Sequence, residues 1–251
     1  MNKWYKTIEK FGWVRHIYNL LQYLKNKFSK DYEADNKVFV IGLNKTGTTS
    51  TEKALLDFGY KLGNQVDAEL ISDYALKGNY KYLLEYLKTA NAFQDQPFSF
   101  RGFYKVLHQK YPNSKFILTI RSNEDVWYDS LVSFTKKRFL NDGIKIGEEL
   151  TISNLKKLDY RYPQMPYNIM KMLWLRDRHV LLDEDKLFDE DYCKFYYKQH
   201  IKEVKKYFKN NPNLLVLNVE EKDSYTRLYK FLGKESKYDN FPHLNKTKDS
   251  C

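Results

Sequence analysis

Cysteine is nearly absent from this chain of 251 residues, occurring only as Cys193 and Cys251. Two thiols, one of them terminal, exclude a disulfide scaffold and any CxxC metal site, and they point to a reducing, cytoplasmic compartment. Long apolar runs are missing too. Arg15, His16, Asn19 and Gln22 interrupt the first segment, so it does not read as a signal peptide. Nowhere are there the roughly 20 consecutive apolar residues that a membrane-spanning helix needs. Internal repeats, low-complexity stretches, clusters of metal ligands and nucleic-acid-binding motifs are equally lacking. What is present is globular material, with 42% hydrophobic residues and length enough for one sizeable domain with a core. The formal charge of +11 fits an anionic small molecule, a nucleic acid or a membrane surface, and also solubility alone.

Residues 1–36 read as an N-terminal amphipathic helix and a short polar link. Trp4, Ile8, Phe11, Val14, Tyr18, Leu21, Leu24 and Phe28 recur at spacings of three and four, with Lys3, Lys6, Lys10, Lys25 and Lys27 elsewhere. Such a helix can lie on an anionic membrane. Glu9 and Asn19 dilute the cationic face, so the apolar stripe is expected to pack against its own domain.

Residues 37–251 form the main domain. Strand-like runs at 37–43, 92–95, 115–120 and 214–219 alternate with helical stretches, notably 52–58, 167–182 and 191–208. This alternation predicts an α/β fold with a mostly parallel central sheet flanked by helices. Residues 141–190 are the least regular, broken by Pro163 and Pro166.

In such a sheet, ligands bind beyond the carboxyl ends of the strands. Residues 42–50 stand at one such end and open a helix, where free backbone N–H groups and the helix dipole favour phosphate or sulfate. Gly47 lets backbone approach the anion, Thr46, Thr48, Thr49 and Ser50 offer hydroxyls, and Lys45 adds a full charge. Gly42 and Gly47 have the spacing of a kinase or nucleoside-triphosphatase loop, Gly-x4-Gly-Lys-Ser/Thr. Thr48 stands where that loop has its lysine, and the lysine present lies two places before Gly47. That displacement argues against triphosphate chemistry.

The stretch Val38-Phe-Val-Ile-Gly-Leu-Asn-Lys-Thr-Gly-Thr-Thr-Ser50 resembles the 5′-phosphosulfate loop of sulfotransferases, in the branch reading Gly-x-x-Lys-Thr-Gly-Thr-Thr-Ser. Ala54-Leu55, Gly59-Tyr60, Asp95-Gln-Pro97, Tyr111-Pro112, Arg121, Trp127-Tyr-x-Ser130, Trp174, Tyr197-x-x-His200, Phe231-Leu-Gly233 and Phe241-Pro-His-x-Asn245 follow the family order. The resemblance implies a P-loop NTPase-like sulfotransferase fold. It also implies metal-free transfer of a sulfuryl group from 3′-phosphoadenosine 5′-phosphosulfate (PAPS) to a hydroxyl acceptor, with a carbohydrate as one candidate. Lys45, Thr46, Gly47, Thr48, Thr49 and Ser50 match the loop that holds the donor's 5′ end; Arg121 and Ser130 match the 3′-phosphate site. The Arg121–Ser130 separation is one residue longer than usual in the family, which leaves Ser133 and Ser122 open. Lys45 is the expected stabiliser of the leaving oxygen, and Asp95 the expected base for the acceptor hydroxyl. Lys246 is a candidate further phosphate contact, and His200 reads as a core histidine. The competing classes are a basic non-enzymatic binding module and a P-loop kinase or triphosphatase.

Overall fold

A strand inside a parallel sheet is covered on both faces, so it needs a continuous apolar run. Val38, Phe39 and Val40 supply one. In the computed structural model, which describes residues 3–34, 36–141, 151–176, 189–235, 238, 240 and 241, these three form the first strand and are fully buried. In chain order the elements begin α1 (Lys3–Lys10), α2 (Val14–Lys27), β1 (Val38–Val40), α3 (Thr48–Asp57), α4 (Gln65–Leu70), α5 (Ser72–Leu76) and α6 (Lys81–Tyr86). Next, after a 3₁₀ turn, come β2 (Ala92–Phe93), α7 (Phe103–Lys110), β3 (Lys115–Thr119), α8 (Glu124–Asn141) and α9 (Ile152–Leu155). The order ends with α10 (Met165–Arg176), α11 (Glu190–Tyr207), β4 (Leu214–Leu217) and α12 (Ser224–Leu232). The chain divides into two units. One comprises Met1–Lys30, Asn64–Lys88 and Val132–Glu190, and the other Asp31–Gly63, Thr89–Leu131 and Asp191–Cys251.

The second unit contains an all-parallel sheet in the order β2-β1-β3-β4, so the expected α/β class with a parallel sheet and flanking helices is the one observed. Alternation along β1 assigns its two faces. Val38 and Val40 pack with Ile117, Leu217, Ala54 and Leu55 of α3, and Tyr225, Leu228 and Leu232 of α12. Phe39 turns the other way, its ring 5.5 Å from Phe93 and 5.4 Å from Phe116, and Phe116 lies 4.8 Å from Phe208 beyond α11. Each fully buried side chain of this size contributes roughly 1.5–3 kcal/mol, so both faces hold the sheet. Four strand directions are thereby fixed, and their carboxyl ends emerge on one side.

The first unit is helical, and here the expectation for the N-terminus needs correction. The single helix is two, broken between Lys10 and Val14, with Gly12 against the Pro163 ring. Nor is the apolar stripe buried as expected. Ile8, Val14 and Tyr18 are inside, whereas Trp4, Phe11, Leu21, Leu24 and Phe28 are exposed. Polar contacts turned α2 that way. Arg15 makes a two-point ion pair with Asp73 (3.0 and 3.1 Å) and lies over the Tyr162 ring. Asn19 donates to the Leu70 carbonyl at 3.0 Å, and the Tyr18 and Tyr5 hydroxyls donate to Asp67. Arg161 and Tyr160 likewise meet the buried Glu69 carboxylate.

Candidate functional site

The loop between β1 and α3 is shaped by two close approaches. At Gly42, a side chain would begin 2.0 Å from the Thr119 hydroxyl, so only hydrogen fits where the chain leaves β1 beside the end of β3. At Gly47, φ is +95°, and a Cβ would meet Val219 at 2.5 Å; glycine alone occupies such a position without strain. Gly47 is also the residue before α3 and provides no side-chain cap. The first helical hydrogen bond runs from Thr51 N–H to the Gly47 carbonyl, so the N–H groups of Thr48, Thr49 and Ser50 precede it. A helix start left in this condition attracts anions.

The threonines divide their tasks. Thr49 is exposed and Ser50 half-buried, while Thr48 is mostly covered. Thr46 is fully buried, and its hydroxyl donates to the Leu43 carbonyl at 2.5 Å while lying 2.6 Å from that of Thr119. The expected hydroxyl contribution of Thr46 to a ligand is therefore corrected: its side chain fastens the loop to β3.

Lys45 adopts φ +71°, and Asp95 φ +60°. Left-handed geometry at a non-glycine residue is costly and collects at functional sites. Burial, and next the charge of Arg121, hold the Lys45 ammonium below the ordinary lysine range, while Asp95 pulls the other way. The three charged residues thus act on one another electrostatically, from the ends of β1, β2 and β3. Asp95 accepts from the Gln96 N–H at 2.8 Å, and its carbonyl accepts from Ser99 N–H. The Ser99 hydroxyl reaches Asn44 at 3.1 Å, linking the two loops.

Arg121 donates through Nε to the Lys45 carbonyl at 2.8 Å, and its N–H donates to the Tyr197 hydroxyl at 2.9 Å. The guanidinium also pairs with Glu220, from the chain following β4. Glu124 and Asp125 pair instead with Lys198 and Lys194. Ser130 is half-exposed on α8, one turn beyond Trp127 and so on the same helix face. Trp127 donates its indole N–H to the Asn44 carbonyl at 2.9 Å and stacks on Tyr197, centroids 4.7 Å apart.

His200 is a core histidine. It is buried, its Nε2–H meets the Ile41 carbonyl at 2.8 Å, and desolvation pushes its pKa down to about 4. The roles of Asn44, Thr119, Trp127 and Glu220 were missed at the sequence level, as was Glu52. Glu52 sits on α3, where burial raises its carboxyl and Gln94 donates to it at 3.3 Å. No local signal marks Glu220, because it follows the edge strand β4 and meets Arg121 only through the fold. The Trp174 side chain and residues 242–250, including Asn245 and Lys246, lie outside the described residues.

A family model described as a sulfotransferase domain matches residues 37–250. No curated protein matches the chain.

Proposed function

Because this chain belongs to the sulfotransferase-domain family, we propose that it transfers a sulfuryl group from PAPS to a hydroxyl acceptor. The donor supplies an activated sulfuryl group on an anionic leaving group. The carrying observation is the gathering of Lys45, Arg121 and the N–H groups of Thr48, Thr49 and Ser50, which precede the first helical bond of α3, at neighbouring strand ends. Two cations and a helix start suit a ligand with negative charge at two positions. Thr48, Thr49 and Ser50, with the Gly47 backbone, hold the 5′ end. Arg121 exchanges its exposed partner Glu220 for the 3′-phosphate, a substitution that loses little because surface ion pairs are weak. Ser130 adds a hydroxyl from the face that Trp127 shares.

Sulfuryl transfer asks for positioning and charge stabilisation, as phosphoryl transfer does. Lys45 meets the negative charge growing on the leaving oxygen. Asp95 accepts the acceptor's proton; a carboxylate in this role suits a carbohydrate hydroxyl.

The test is thermal stabilisation of the full chain by 3′-phosphoadenosine 5′-phosphate compared with ADP. The 3′-phosphate should make the first clearly more stabilising. Equal shifts would overturn the assignment and favour a kinase-like nucleotide site, and no shift with either would favour a non-enzymatic basic module.

A further inference from the structure

On α2 the buried face, which includes Val14 and Tyr18, is largely polar, and most of the large apolar side chains are left outside. Arg15, Asn19 and Asn26 face inward, while Trp13, Ile17, Leu20, Leu21, Leu24 and Phe28 face solvent. Trp13 is 65% exposed and Phe28 85%; the four between them are 44–48% exposed. At helical spacing these six fall within an arc of about 100°, a continuous stripe the length of the helix. Lys27 borders it on one edge and Lys25 on the other, both exposed, and Lys6, Lys10 and Lys30 are exposed nearby. Glu9 is the only carboxylate between residues 3 and 30.

We propose that α2 docks this protein onto an anionic lipid bilayer, lying in the plane of its surface. This surface is independent of the sulfotransferase assignment. A stripe of leucine and aromatic side chains enters the headgroup boundary while bordering lysines reach the lipid phosphates; that is the chemistry of an interfacial helix. Fourteen residues are too few to span the hydrocarbon core, which needs about 20, and among the described residues no helix is long and apolar enough to cross a membrane. Charge decides against a second copy as the occupant. Packed in parallel, two such faces would bring Lys25 and Lys27 against their own counterparts. Packed antiparallel, these lysines would meet residues 13–18, which include no carboxylate. The stripe is also wider than a coiled-coil seam.

The experiment is flotation of the full chain with vesicles of phosphatidylcholine alone and with about one third phosphatidylserine. The protein should float with the anionic vesicles and remain below with the neutral ones. Leu20→Glu combined with Leu24→Glu should reduce the bound fraction about tenfold or more, and Lys25→Glu combined with Lys27→Glu should do so comparably. Far-UV circular dichroism and the melting curve should match the parent. If the double leucine variant melts early, Phe28→Glu at the helix end takes its place. Unchanged flotation of folded stripe variants, or equal binding to both vesicle types, would overturn the proposal. So would a dimer in solution that the leucine substitutions dissociate while vesicles bind nothing.

Discussion

At Lys45 opposing influences act on one proton. Burial and the Arg121 charge favour losing it, and Asp95 favours keeping it, leaving the pKa below its ordinary 10.5. An anion-stabilising lysine must be charged, so its contribution is present below that lowered pKa and is lost as pH rises through it. The alkaline limb of kcat/KM for sulfuryl transfer should therefore fall at lower pH than a solvated lysine allows. Lys45→Arg should move that limb upward, because a guanidinium stays charged. Lys45→Ala should lower kcat by about 10²–10³-fold with the fold intact by circular dichroism. An alkaline limb unmoved in the arginine variant would remove Lys45 from this role.

Among elements, α11 is tied to the chain just beyond β1 by a buried bond from His200 to the carbonyl of Ile41. The folded pKa of about 4 lies below the ordinary 6.5, so on acidification the unfolded chain takes up this proton first. Stability from the neutral ring is complete above about pH 6.5 and drains as pH falls toward 4, by on the order of 3 kcal/mol. His200→Gln keeps a donor but cannot titrate. Urea midpoints of the parent should thus fall more steeply than those of the variant over this interval, and parallel curves would refute it. Elements were read from sequence with uneven success, for physical reasons. β1, its glycine-threonine loop and α3 were legible because β-branching, Gly47 and the helix start are local signals. The strand itself is shorter than the 37–43 run, since the chain departs from the ladder after Val40 to make the loop. In α2, periodicity revealed an apolar face but not which side is inside, which depends on partners such as Asp73, 58 residues from Arg15. Glu220 stayed hidden likewise, 99 residues from the arginine it meets.

For the whole molecule, the net charge of +11 separates into a directed part and a diffuse part. Lys45 and Arg121 act at the strand ends, whereas lysines such as Lys6, Lys10 and Lys30 face solvent. A polyanion such as RNA should bind only through the diffuse part, with affinity falling steeply in salt and indifferent to Lys45→Ala. Binding of 3′-phosphoadenosine 5′-phosphate should be weakened in that variant, and fluorescence titration of both ligands would distinguish the two. Equal sensitivity of RNA binding to the substitution would mean that the loop serves polymers. The charged groups at residues 45, 95, 121 and 220 hang from four different strands, each held by its neighbours' ladder. No single segment carries the constellation. It assembles only when the last strand is in register and disappears when any one leaves, which ties competence for chemistry to cooperative folding of the sheet.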